Sequence, residues 1–290
     1  MISNQGEAGI HGGYHVRLEP SGKRFDLKLG ELWRYRDLVL LLTKKSFTVT
    51  YQQTILGPMW IMIQPILSSL IYMFIFGHIA DIGTAGIPQI LFYFVSSAVW
   101  ELFSFSMMAN ANTFISNANL FSKVYFPRLA VPISTMLVSI LKFAVQLLFI
   151  LALMGVYVAR GDIHPQWAWF PVLPLLFLQM SLLGMSVGVL VSSLTTKYRD
   201  LLMAVNLGVS LWMYATPVVY PMRAIPEGFL KTLIRINPAS EVMELIRLIM
   251  LGEGDVDLGY YALSAGVTVL LFIFSAAVFN RVERTFQDTV

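Results

Sequence analysis

Six long apolar stretches, at residues 58–77, 89–111, 129–158, 167–194, 201–220 and 259–280, leave this chain few ways to fold. Each reaches the length of about 20 residues that a helix needs to cross a hydrocarbon core. Backbone polar groups must be satisfied within the segment there, which selects helices. With 57% hydrophobic and only 13% charged residues, the chain also lacks the charge to cover a soluble surface. The expectation is an all-α polytopic membrane protein with six transmembrane helices.

Basic residues set its orientation. They crowd the segment before the first stretch, from Arg17 to Lys45, and recur as Lys123, Arg128, Lys197, Arg199, Arg281 and Arg284 on the same side. The opposite loops hold Arg160 and, within one long loop, Arg223, Lys231, Arg235 and Arg247. The positive-inside rule then places both termini in the cytoplasm, in keeping with an even number of spans. The polar N-terminus has no early apolar core, so the first span is expected to act as its own insertion signal. There is no cysteine, hence no disulfide framework or thiol chemistry. His11 and His15 lie four apart in a Gly-rich tail with no further metal ligand nearby. Nothing in the charge pattern points to nucleic acid.

The chain divides into a polar tail (1–28), an amphipathic segment (29–56), a six-span membrane domain (57–280) and a short cytoplasmic tail (281–290). Within 30–54, Leu32, Trp33, Val39, Leu40 and Phe47 fall on one side of a helix, with Arg34, Arg36, Lys44 and Lys45 supplying basic heads. Such a helix lies in the headgroup region rather than crossing. Gly57-Pro58 marks the turn into the first span.

Polar residues inside the spans are costly unless partnered. Trp60, Gln64, Ser68 and Tyr72 recur every fourth residue in the first span, and Asn206, Ser210 and Tyr214 do so in the fifth. These stripes fit a water-filled path and also fit helix–helix contacts. Gly184 and Gly188 form a small-xxx-small signal that reads as packing. Glu101 and Lys142 sit near the centres of the second and third spans. Their similar depth suits a buried charged pair, and a carboxylate there also suits a proton relay.

The loops are uneven. Segment 221–258 is long, and Ile225, Phe229, Leu230, Leu233 and Ile234 suggest a short amphipathic helix. A second helix is expected to start at Asn237-Pro238 and stop at Gly252, with Val242, Leu245, Ile246 and Ile249 on its apolar face. Two such helices can re-enter the outer leaflet and lid a pathway. On the inner side, 117–128 mixes Leu120, Phe121, Tyr125 and Phe126 with Lys123 and Arg128, a composition suited to docking another protein.

These pieces together resemble the membrane permeases of bacterial ABC transporters that export O-antigen, capsule or teichoic acid. The resemblance is carried by ELWRYRD at 31–37, YQQTILGPMW at 51–60 with Gln64-Pro65, Asn119-Leu120 with KVYFPR at 123–128, YRD at 198–200, and Asn237-Pro238 with Arg247 and Gly252. It covers about residues 30–280. It implies a homodimer in the bacterial inner membrane, each copy bound to a separate ATP-hydrolysing subunit that holds ATP and magnesium. This chain has no GxxxxGK[ST] loop, and no catalytic or cofactor residues of its own are expected. By the same resemblance, Asn117, Asn119, Leu120, Phe121, Lys123, Tyr125, Phe126 and Arg128 would form the helix that couples to the ATPase. The segment 29–56 would flank that contact. Phe229, Leu233, Asn237, Pro238 and Arg247 would belong to an outer gate. The substrate would be a lipid-linked polysaccharide, met along the channel by Trp60, Gln64, Tyr72, Asn206, Ser210, Trp212, Tyr214 and Tyr220. Glu101 and Lys142 depart from the neutral and non-basic residues such permeases more often carry. The same architecture also serves exporters of drugs or lipids, and a proton-coupled transporter working through Glu101 is the reading from another class.

Overall fold

The computed structural model describes residues 33–52, 55–117, 126–195 and 200–287, with side chains through 281. Every regular element among them is helical. Helix α1 (Arg36–Tyr51) precedes the membrane segments. Helix α2 (Trp60–Tyr72) is entered through a 3-10 turn with Pro58 in its first positions, and continues as a π-helix over Met73–Ile79. Then follow α3 (Gln89–Ala111), α4 (Ala130–Arg160), α5 (Leu173–Thr195) and α6 (Leu201–Tyr214). The short α7 (Phe229–Ile236) and α8 (Pro238–Leu251) lead into α9 (Leu258–Gln287).

Five helices are long and apolar enough to cross a bilayer: α2 with its flanking turns (Gly57–Ile79), α3, α4, α5 with its leading turn (Trp167–Thr195), and α9. The fifth stretch expected from sequence is different. Its helix has 14 residues, which at the α-helical rise spans only about 21 Å. It stops because Pro217 lacks an N–H and disfavours the helical conformation of Thr216. The expected six spans are therefore five long helices and one short apolar one. At the other end, α9 runs to Gln287, past the expected boundary at residue 280.

Helix α3 is the centre of the bundle. Seventy-eight per cent of its apolar window is buried, against 17% for α2, so α3 meets protein on nearly every side while α2 presents most of its surface outward. Glycine makes the closest approach possible. A Cβ at Gly184 would lie 2.4 Å from Phe103 O, and one at Gly188 would lie 2.3 Å from Met107 O. The packing reading of that pair is therefore what the structure holds: α5 lies directly on the α3 backbone. Ser106 Oγ adds a bond to Ser181 O at 2.8 Å, and the Ser139 and Ser181 hydroxyls meet at 2.8 Å, so small hydroxyls tie α3, α4 and α5 together.

At the α1 end a second core gathers Val39, Phe114, Phe126, Met185 and Phe279, with the Phe114 and Phe279 rings stacked at 4.6 Å. The buried stripe of α1 is not the expected one. Val39 and Thr43 are buried beside half-buried Leu38 and Leu42, whereas Trp33 and Leu40 are 72% and 60% exposed. Helix α1 lies along α4, where Thr43 Oγ1 donates to Val39 O of its own helix at 2.8 Å and reaches Ser134 O of α4 at 3.4 Å. The face chosen is the one that meets α4, leaving Leu40, Leu41 and Val49 outward. Leu32 lies outside the described residues.

Candidate translocation cavity

Polar residues from four helices converge on one cavity of about 670 Å³. Helix α2 contributes Gln64, Ser68 and Tyr72, and α6 contributes Asn206, Ser210 and Tyr214. The far wall comes from α3, which turns Ser97, Glu101, Ser104 and Met108 toward the same space, and Lys142 of α4 completes it. The two stripes expected from sequence thus meet across a single opening. Of the α3 stripe only Glu101 stands out by residue type, although the spacing of four, three and four is that of one helix face.

Glu101 and Lys142 line this cavity together, but not as a direct ion pair. Glu101 Oε2 accepts from Gln146 Nε2 at 2.9 Å. Lys142 Nζ lies over the Phe105 ring, 3.5 Å from its centroid, with Tyr51 at 5.7 Å. The geometry has a cause in the backbone. Pro65 has no N–H to give to Ile61 O, one turn earlier in α2. The Gln146 amide fills that gap, donating to Ile61 O at 3.1 Å while it also donates to Glu101. Buried Gln146 therefore anchors the carboxylate and closes a break in α2 with one group.

Three expected lining residues lie elsewhere. Trp60 sits at the start of α2 and is half-exposed, away from the cavity. Trp212 faces the other side of α6, edge-on to Phe103 at 5.1 Å, and its indole N–H donates to Asn237 Oδ1 at 3.1 Å. There it borders an apolar groove with Ala204, Gly208, Leu211 and Ala215. Tyr220 donates its hydroxyl to Tyr214 O at 2.9 Å and braces the turn after α6. The spacing of four marks α6's polar face at Asn206, Ser210 and Tyr214, and neither Trp212 nor Tyr220 falls on it.

Two short helices form in the loop as expected, although the first begins at Phe229 and leaves Ile225 outside it in extended backbone. Asn237 caps α8 by accepting from Ala239 N at 3.2 Å, and its amide donates to Thr216 Oγ1 at 2.8 Å and Ala215 O at 3.1 Å. Gly252 ends α8 in the left-handed region at φ 85°, and a Cβ there would meet His164 O at 2.4 Å. Pro238 occupies the first turn. Arg247 is buried, ion-paired with Glu244 and set over the Phe92 ring at 4.6 Å. Glu244 also accepts from Met222 N at 2.9 Å and Asp255 N at 3.1 Å, so the pair pins the loop ends.

Helix α7 is turned opposite to the usual amphipathic sense. Phe229 and Leu233 face outward with Leu230 and Ile236, while Lys231 and Arg235 point inward. Lys231 reaches Glu227 at 2.6 Å and Asp255 at 3.0 Å; Arg235 reaches Glu241 and Asp255, each at 2.8 Å. Hydrogen bonding to Glu227 raises the Lys231 ammonium above its ordinary value. Burial pushes Asp255 up, but its bonds and charges to Lys231 and Arg235 outweigh that and hold the carboxyl below the usual range.

Of the expected coupling residues, Asn117 donates its amide to Thr113 O at 3.0 Å, and Phe126 and Arg128 are buried. Asn119, Leu120, Phe121, Lys123 and Tyr125 lie outside the described residues.

These features define a multi-pass helical membrane protein whose apolar spans enclose a polar cavity. Residues 37–251 match the family of ABC-2 type transporters, and the chain belongs to that family. It is similar to the O-antigen export system permease protein RfbA of Klebsiella pneumoniae, at 28% identity over 254 residues covering 87% of this chain and 94% of that protein. It is likewise similar to the protein of the same name from Myxococcus xanthus, at 26% identity over 266 residues covering 90% and 98% of the two chains.

Proposed function

We infer that this chain is the permease subunit of an ATP-driven exporter carrying lipid-linked polysaccharide across the cytoplasmic membrane. The observation that carries the reading is the near end-to-end similarity to two O-antigen export permeases. The cavity is chemically suited to it, because hydroxyls of sugars can exchange hydrogen bonds with Gln, Ser and Asn while their CH faces lie on tyrosines.

The chain acts as a homodimer, with two copies of a separate ATPase supplying the energy. Exposed apolar residues flank the cavity on both of its outer helices: Leu67 and Ile71 on α2, Met203 and Leu207 on α6. Two-fold pairing of those faces joins two cavities into one pathway and buries what a monomer leaves outward. All six apolar segments cross the membrane, the fifth as α6 plus the irregular chain that follows it, with both termini cytoplasmic. ATP-driven closure of the partner pushes on 117–128, the α3–α5 unit moves as one body, and α7 with α8 gates the outer end.

The test is reconstitution. Deleting the chain should remove surface polysaccharide, and the chain should restore it only with an ATPase partner able to hydrolyse ATP. Export in cells should resist a protonophore as long as ATP is maintained. Retention of surface polysaccharide in the deletion strain would refute the reading, as would solute uptake into vesicles by the chain without an ATPase.

A further inference from the structure

The two charged groups of the cavity are held separately, and both retain bonding capacity. Glu101 takes its amide bond from Gln146, and Lys142 has no hydrogen-bond acceptor among the described residues, resting on Phe105 instead. An ionised group in mid-membrane is expensive unless something answers it. A second observation lies one turn away on α3. Ser97 is 7% exposed, lines the same cavity, and its hydroxyl has no hydrogen-bond partner among the described residues. A buried hydroxyl left so costs free energy.

The charge balance selects the ligand. The lining holds one carboxylate, one ammonium and otherwise neutral side chains. A diphosphate is met by clustered cations, arginine above all, and here the single lysine shares a low-dielectric space with a carboxylate that repels phosphate. A zwitterionic headgroup would match the two charges but leave the surrounding hydroxyl and amide groups unanswered. A polyol answers all of them, and the volume lies within the range of ligand sites, roughly 300–1,000 Å³.

We propose that this cavity is a subsite for an uncharged sugar residue, in which Glu101 accepts from adjacent hydroxyls and Lys142 and Ser97 bond further ring hydroxyls. The lipid-diphosphate end of the substrate is recognised elsewhere. Gln146, locked between Ile61 O and Glu101, fixes the carboxylate before the sugar arrives. Tyr72 and Tyr214 flank the opening for the sugar's CH faces. This assignment rests on the reading of the chain as a glycan permease, and its test is separate from that of the reading.

The full chain in lipid nanodiscs is titrated with a neutral hexose trisaccharide, inorganic pyrophosphate and phosphoethanolamine, following tryptophan emission because Trp100 lines the cavity. Saturable binding is expected for the trisaccharide alone. Glu101→Gln should weaken it about tenfold, and Ser97→Ala about threefold. Ser97→Ala loses no bond to another described residue, so it should melt no lower than the parent protein; a purely structural hydroxyl would leave the titration unmoved. The proposal is overturned by the absence of trisaccharide binding, by tighter binding of pyrophosphate or phosphoethanolamine, or by Ser97→Ala binding as the parent does. A deletion strain that keeps its surface polysaccharide ends the exporter reading instead, and leaves the subsite to the titration.

Discussion

Replacing Gly184 by alanine tests the central packing claim, because two effects of opposite sign compete there. Alanine favours a helix over glycine by about 1 kcal/mol. Against this, the new methyl would lie 2.4 Å from Phe103 O, where ordinary contact begins near 3.4 Å. Neither backbone can yield locally, so α3 and α5 must part by about 1 Å. Overpacking of this kind costs about 1–3 kcal/mol, and parting the helices strains the Ser106–Ser181 bond, worth about 1 kcal/mol. The net loss is about 2 kcal/mol, or roughly 4–8 °C in melting temperature for a domain of this size. Gly188→Ala, at 2.3 Å from Met107 O, should behave alike. One separation relieves both clashes, so the double variant should lose less than the sum. Gly155→Ala, whose methyl would meet nothing within 4 Å, should melt at or above the parent temperature. Fluorescence-detected size-exclusion after graded heating measures all four. Gly184→Ala melting with the parent, or strict additivity of the pair, would refute the reasoning.

Other consequences are quicker to test. Glu244→Gln strips the counter-charge from buried Arg247 and should cost about 3–5 kcal/mol, seen as loss of monodisperse protein; adding Arg247→Met should recover much of it. Asn237→Ala removes a helix cap worth about 1 kcal/mol and three further bonds to α6 and its end, whereas Asn237→Asp keeps the acceptor and loses less, which paired melting curves would show. The depressed Asp255 carboxyl makes the α7 tether pH-dependent in a defined direction. Its contribution is complete above the ordinary aspartate value of about 3.9 and is lost as the pH falls through the lower folded value. The share of hydrogen-exchange protection in Phe229–Ile236 that Asp255 supplies should therefore be lost only below that ordinary value, and Asp255→Asn should lack that share already at neutral pH.

The sequence made the helices legible because hydropathy and length act locally. So did Asn237, Gly252 and the Gly184–Gly188 pair, whose roles follow from residue type and spacing. What it concealed depends on partners far along the chain. The outward face of α7 could not be foreseen: apolar side chains ordinarily turn inward, and here acidic residues at 227, 241 and 255 claim its cations. The length of α6 turned on Pro217, which hydropathy does not register. Six cavity residues were visible as stripes, yet Ser97 and Ser104 were lost among a helix buried on nearly every side. Similar depth suggested that Glu101 would face Lys142, but depth cannot say which neighbour an oxygen meets, and Gln146 lies closer.

Pro65 and Gln146 form a lock and its key cut from distant parts of the gene. A proline at 65 is tolerable only while some side chain reaches Ile61 O, and an amide at 146 has that errand because the proline is there. Relatives that restore an ordinary N–H at the first position are released from the second, so evolution should trade the two together.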